Sequence, residues 1–415
     1  MFEVAVILSL IWGAYYLLVR RRIQSGIVFF VFLFCMAIPS FFQPEFLQAY
    51  IESSINITNI TILAIVLIVS FKPWRSFDRA VKDRVISINY NYIKNLRFLF
   101  LFTIVGSLYA ILYLMPYAIA GVRMGAADVR ALISDVSVLP KNILTTIAVS
   151  FAALYIYNIL FFYIACLSDE LKRYRIWLVI SSLSYLVSCM AITARDGFII
   201  LPVFYVCLYI IFRRSIPQKT LRSIKRYLTI LSVAAFVMLS SFTISRFWGT
   251  DKDVDRLLDG TVGYIAQQPY VFDSTVQHQT DFHGFELRFP IINRIIGVKE
   301  YKIDRLDNWF ETCFGTMYAD FYSIGGWEPL FGVLFVFVSY YWWAISHCRR
   351  RKKDFAIILI FLVYLYIATT GMFYCRAGST VSTNIFYIVL SILPLFVGNY
   401  ITISRNATND NYTNY

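Results

Sequence analysis

Arg123 and Arg130 stand seven residues apart in Gly121-Val-Arg-Met-Gly-Ala-Ala-Asp-Val-Arg130. If that segment is helical, the spacing is about two turns and both guanidinium groups share a face. Two planar, permanently charged forks on one face suit a diphosphate. The same pair would equally anchor an interfacial helix among lipid headgroups. Arg195, in Thr193-Ala-Arg-Asp-Gly197, and Arg376, in Tyr374-Cys-Arg-Ala-Gly378, each stand between two apolar stretches. A charged residue at membrane depth costs about 2.5–3.5 kcal/mol on insertion scales, and by default it has a use. For Arg195 the use is a guanidinium aimed at phosphate oxygens. The alternative is a hairpin arginine that snorkels to the headgroups and pairs with Asp196. Arg376 carries the same two readings, and Arg246 reads as a plain interfacial residue.

A second set of candidates lies in Gln277-His-Gln-Thr-Asp-Phe-His283-Gly and just beyond it, at Glu286 and Arg288. A sugar hydroxyl attacking an anomeric carbon gains about 10²–10⁴-fold from a positioned base. His283, His278, Asp281 and Glu286 are the candidate bases; taken singly, each also reads as an ordinary hydrated loop residue. Trp309, Phe310, Tyr318 and Trp327 suit stacking on sugar faces or an interfacial belt. There is no Walker loop, dinucleotide fingerprint, Cys-x-x-Cys pair or His-Glu-x-x-His. With three histidines in the chain, no metal site and no cofactor are expected.

These residues need a frame. The chain has 415 residues, 59% hydrophobic and 18% aromatic, with a mean hydropathy of +0.64. A soluble domain of that size cannot hide so much apolar surface. Eleven apolar stretches approach the length of about 17–25 residues that a span needs. They are 2–19, 26–43, 55–71, 98–120, 142–167, 176–194, 197–212, 227–244, 327–346, 355–373 and 381–403. No cleavable leader is expected: Met1 to Val19 lacks a basic start and reads as a retained span. Of the 38 Lys and Arg residues, 25 fall in one alternating set of loops, and eight of the remainder lie within 246–305. That contrast predicts a helical bundle with its N-terminus outside and its C-terminus inside. It also accounts for the net charge of +13 without nucleic acid as a partner. The expected organisation is one integral membrane domain, 1–415. It has a large outer loop at 245–326 and a flexible polar tail at 404–415. The seven cysteines read as small core residues; only Cys313 and Cys375 map near the outer face.

The run Asn308-Trp-Phe-Glu-Thr-Cys-Phe-Gly-Thr-Met-Tyr318-Ala-Asp320-Phe-Tyr-Ser-Ile-Gly325-Gly326 resembles the end of the large periplasmic loop in bacterial O-antigen polymerases. In that Wzy-type family a tyrosine, an acidic residue, an aromatic and then glycine precede the next helix. This chain has Tyr322 where the family often has glycine, and its glycines follow a few residues later. Thr193-Ala-Arg195-Asp-Gly197 is similar to the family's turn of small residue, arginine, small residue. The number of spans and the position of the large loop also resemble the family plan. The resemblance implies an all-α, GT-C-like, polytopic protein of the bacterial inner membrane. It implies a metal-independent glycosyltransferase that joins undecaprenyl-pyrophosphate-linked repeat units, donor to acceptor, with a chain-length regulator as a partner. On this pattern Arg195, Arg123, Arg130, Arg376 and Arg288 hold the pyrophosphate. His283, Asp281, Glu286 or Asp320 serves as the base. A flippase of the same lipid-linked glycan, or an O-antigen ligase, is the alternative. Flippases tend to show internal repeats, and none is visible here.

Overall fold

The computed structural model describes residues 56–124, 142–192, 196–247, 267–279, 289–297, 315–372 and 381–405, with short pieces at 15–20 and 22–26 and single positions between. In chain order the helices are α1 (Ile57–Val81), α2 (Ile93–Met124), α3 (Ile143–Ala152), α4 (Tyr155–Ala165), α5 (Arg175–Ser182), α6 (Ser184–Ala191), α7 (Asp196–Phe212) and α8 (Gln218–Phe247). There follow α9 (Gln268–His278), α10 (Pro290–Ile296), α11 (Thr316–Tyr322), α12 (Trp327–Arg350), α13 (Asp354–Thr370) and α14 (Val381–Ile392). Two strands, β1 (Arg84–Ile88) and β2 (Ile401–Arg405), form an antiparallel pair. The chain divides into two compact units, 1–82 with 258–398 and 83–257 with 399–415.

The protein is largely helical and embedded in a membrane by several spans. Among the described residues four helical stretches are long and apolar enough to cross: Ile57–Val81, Tyr90–Gly121, Asp169–Ala191 and Trp327–Arg350. A fifth is the pair α3–α4, bent by 40° at its break. Gly197–Phe212, Asp354–Thr370 and Thr383–Leu395 are shorter apolar helices. The expected spans 2–19 and 26–43 fall almost wholly outside the described residues. Large apolar side chains are displayed outward: Phe98 is 68% exposed, Leu112 75% and Phe335 71%. A water-soluble surface would not carry such a display, whereas hydrocarbon solvates it.

In the first unit, α13 is enclosed on every side, with all residues from Phe355 to Thr370 buried. A helix apolar all round belongs in such a position. Phe361 takes the edge of Trp74 at 5.2 Å and stacks on Phe77 at 3.6 Å, both from α1. Tyr366 stacks on Tyr387 of α14 at 5.2 Å. Contrary to the expected 55–71 span, α1 runs on to Val81. Its later polar residues are accommodated by packing. The Lys72 ammonium lies 4.1 Å from the Trp342 ring, a cation–π contact, and Asp78 accepts the Ser25 hydroxyl at 2.7 Å.

The expected span 381–403 is corrected. The helix ends at Ile392, a 3₁₀ turn covers Leu393–Leu395, and residues 401–405 are strand. Pro394 cannot donate into a continuing helix, and Ile401-Thr-Ile-Ser has the β-branched alternation that suits a half-buried strand. Ile86 and Ile88 face Ile403 and Ile401 across the pair, and all four are buried. The tail boundary at 404 moves accordingly, because Ser404 and Arg405 pair with Val85 and Arg84.

In the second unit α4 is the enclosed helix, buried along its whole length. The Tyr163 hydroxyl donates to the Tyr205 carbonyl at 2.7 Å. The Ile86 N–H donates to Ser215 Oγ at 2.7 Å, tying the strand pair to the turn after α7.

Candidate functional site

In the second unit, α2 and the α5–α6 pair lie side by side and run the same way. Near their starts Arg97 and Glu170 form an ion pair at 3.1 Å, and the Phe100 and Tyr174 rings meet edge-on at 5.7 Å. Further along, Ala110, Leu114 and Ala118 of α2 share one buried cluster with Val187 and Ala191 of α6 and Ala148 and Ala152 of α3. Small side chains let helices approach closely without a hydrophobic drive. At Gly106 the approach is closer still, since a Cβ there would overlap the Phe151 ring. Position 123 lies five residues beyond Ala118 in α2, and Ala118 shares the buried cluster with Ala191, the last residue of α6. The end of α2 that carries Arg123 and the end of α6, four residues before Arg195, therefore share one end of this unit.

The described residues that flank position 195 pack closely on Cys189. The Ala194 N–H donates to the Cys189 carbonyl at 2.8 Å. A Cβ on Gly197 would come within 2.8 Å of Cys189 Sγ, so glycine is the residue that fits. The side chain of Arg123, and Arg130 and Arg195 altogether, lie outside the described residues.

In the first unit the long loop contributes α9, α10 and α11, and two of these are built into the interior. Residues Gln268–Thr275 and Thr316–Tyr322 are all buried. Asp273, 3% exposed, accepts Asn59 Nδ2 at 2.8 Å, Gln277 Nε2 at 2.7 Å and the Asn56 N–H at 3.1 Å. These bonds fasten α9 to the start of α1. The Tyr318 hydroxyl shares a 2.8 Å hydrogen bond with Ser70 Oγ, further along α1. Thr316 sits at φ 75°, a region costly for a side chain with a branched Cβ. Its Oγ1 accepts the Tyr318 N–H at 3.3 Å, which helps hold the turn. The Met317 N–H donates to the Gly371 carbonyl at 2.6 Å, and a Cβ on Gly371 would overlap Met317 Sδ. Thus α11 is seated against the end of α13.

Two of the expected site residues have described side chains, His278, exposed at the end of α9, and Asp320. Asp320 is 8% exposed, and its carboxylate accepts the backbone N–H of Cys375, one residue before Arg376. Here the carboxylate fixes backbone rather than facing open solvent. Cys375 is buried. His283, Asp281, Glu286, Arg288 and Arg376 lie outside the described residues, as do Trp309 and Phe310. Tyr318 is fully buried and cannot stack on a sugar. Burial pushes its hydroxyl well above the ordinary tyrosine range, and the Ser70 bond offsets that only in part. Burial also raises the Tyr322 hydroxyl. Both therefore stay neutral near pH 7 and act as hydrogen-bonding groups. Tyr322 takes the edge of Trp327 at 4.9 Å, and Phe282 lies 5.9 Å from it. No group of acidic, histidine or cysteine side chains able to hold a metal occurs among the described residues.

Sequence reasoning passed over Asp273 and Asn59. The signal was an acid inside the apolar run Tyr270-Val-Phe-Asp and an amide inside the first turn of a span. Both are costly to bury without partners. No protein-family model, curated protein or solved structure matches this chain.

Proposed function

We propose that the chain is a glycosyltransferase working at the outer face of a bacterial inner membrane. It polymerises undecaprenyl-pyrophosphate-linked oligosaccharide repeat units into surface polysaccharide. The observation that supports the reading is the shared end of α2 and α6, with Arg123 in the last turn of α2 and Ala191 four residues before Arg195. Guanidinium groups there suit the lipid pyrophosphate that leaves during transfer. In the reaction, the bond from the donor's anomeric carbon to the pyrophosphate oxygen breaks. A bond from that carbon to an acceptor sugar hydroxyl forms. The hydroxyl proton passes to a base from the long loop, with His283, Asp281 and Glu286 as candidates, and charge grows on the departing pyrophosphate. Donors already aimed at that position lower the barrier without reorganisation.

The proposal includes eleven spans with the N-terminus outside. It draws support from the opposite end of the second unit. There the loops assigned to the inner face come together, through the β1–β2 pair, the Ile86–Ser215 bond and the Arg97–Glu170 pair. The test is reconstitution in vesicles with lipid-linked repeat units and no added metal. A ladder of longer glycans is expected, and Arg195→Ala should leave single units on the carrier while the protein still inserts. Loss of one preorganised donor costs about 10²–10³-fold in rate. A normal ladder from the variant removes Arg195 from the mechanism. Translocation of glycan without elongation makes the protein a transporter.

A further inference from the structure

The first unit contains a cavity of about 660 Å³ bounded by α10, α11, α12, α13 and α14. Its walls are rings and branched aliphatics, among them Phe289, Phe321, Phe337, Ile291, Val336 and Ile388. Several polar atoms at its edge are already engaged with the protein. Asn384 Oδ1 accepts the Ile291 N–H at 3.2 Å, the Tyr340 hydroxyl donates to the Ser391 carbonyl at 2.7 Å, and the Tyr341 hydroxyl shares a bond with Ser391 Oγ at 2.7 Å. A water molecule needs about 2–4 polar partners, and these walls do not supply them. The cavity is partly open to the surface rather than an enclosed void. The volume falls within the range of about 300–1,000 Å³ typical of ligand pockets.

Two further features say what fills it. Val336, Ile388 and Ile392 line the cavity and are also exposed, at 67%, 46% and 43%. The opening is therefore on an apolar outer surface of α12, a membrane-spanning helix, and of α14. Gly332 lines the same cavity, and a Cβ built on it would meet no atom within 4 Å. Glycine is a poor residue for a helix interior; here its missing side chain keeps room in the cavity. We propose that this cavity holds one hydrocarbon chain of a membrane lipid, entering sideways from the bilayer. The inference rests on the membrane embedding of α12 and not on the glycosyltransferase reading.

The test uses the full chain in lipid nanodiscs and reads occupancy, not glycan synthesis. One sample contains a phospholipid with a diazirine midway along an acyl chain. A second contains a polyprenyl phosphate with a diazirine on its chain. After illumination, label is mapped by peptide mass spectrometry. Label is expected on Val333–Tyr341 and Asn384–Ile392 and should fall at least fivefold in Gly332→Phe, which fills the space. Gly332→Ala should keep it. The exposed face of α2 at Phe98–Val105 should label equally in all three proteins and so reports an intact fold. Should Gly332→Phe not fold, Gly332→Leu takes its place. Label from the phospholipid identifies an ordinary bilayer chain, and label from the polyprenyl probe alone identifies an isoprenoid; both support the proposal. Cavity labelling no stronger than on α2, or unchanged when Gly332 is enlarged, overturns it.

Discussion

Asp320 illustrates how one residue's surroundings set its chemistry. Its carboxylate is buried and spends an oxygen on the Cys375 N–H, so its role is to fix the chain that leads into Arg376. If that is its contribution, the acceptor oxygen matters more than the charge. Asp320→Asn keeps a carbonyl that can receive the N–H and should retain most of the proposed polymer synthesis. Asp320→Ala should lower it by about 10²-fold, the usual effect of a small misplacement at a reacting centre. Both variants are compared by glycan ladder in the same vesicles. Equal loss in the two would instead make Asp320 the proton acceptor. Little of this was legible in the sequence. The motif around Asp320 suggested an acid near a site, but the residue that receives its hydrogen bond lies 55 positions away, and no local pattern encodes such a contact.

Elements were more readable, and the misreadings share a cause. Apolar runs marked α1, α2 and α12 well, since membrane spans announce themselves by length and hydropathy. Their ends were harder. A lysine at position 72 reads as a boundary, yet a Trp342 ring shelters it and α1 continues for nine more residues. At the other end of the chain, 381–403 reads as one apolar run although Pro394 divides helix from strand. Close packing between elements was silent in sequence because glycine gives no periodic signal. Gly106 is a direct case. A leucine there must displace the Phe151 ring that lies against α2. Gly106→Leu should cost about 1–3 kcal/mol as overpacking, read as a lower melting temperature in detergent. Adding Phe151→Ala should recover part of that loss, with a coupling of about 0.5–3 kcal/mol between the two sites.

For the molecule as a whole, the charge bias among loops predicts sidedness, and cysteine labelling measures it. In intact cells a membrane-impermeant maleimide should modify Asp253→Cys in the long loop. Asn409→Cys in the tail should react only once the inner membrane is opened. The reverse pattern would invert the topology and place the arginine-bearing ends on the wrong side for the proposed reaction. The β1–β2 pair has its own bearing on how the chain is made. Residues 84–88 leave the ribosome early, but their partners at 401–405 are made only after some three hundred further residues. At roughly 5–20 residues per second, the first strand waits some tens of seconds with its edge open. An open edge bearing Ile86 and Ile88 invites pairing with any passing strand. A product cut short before residue 401 never closes it. Closure of this small ladder therefore requires translation to have reached residues 401–405.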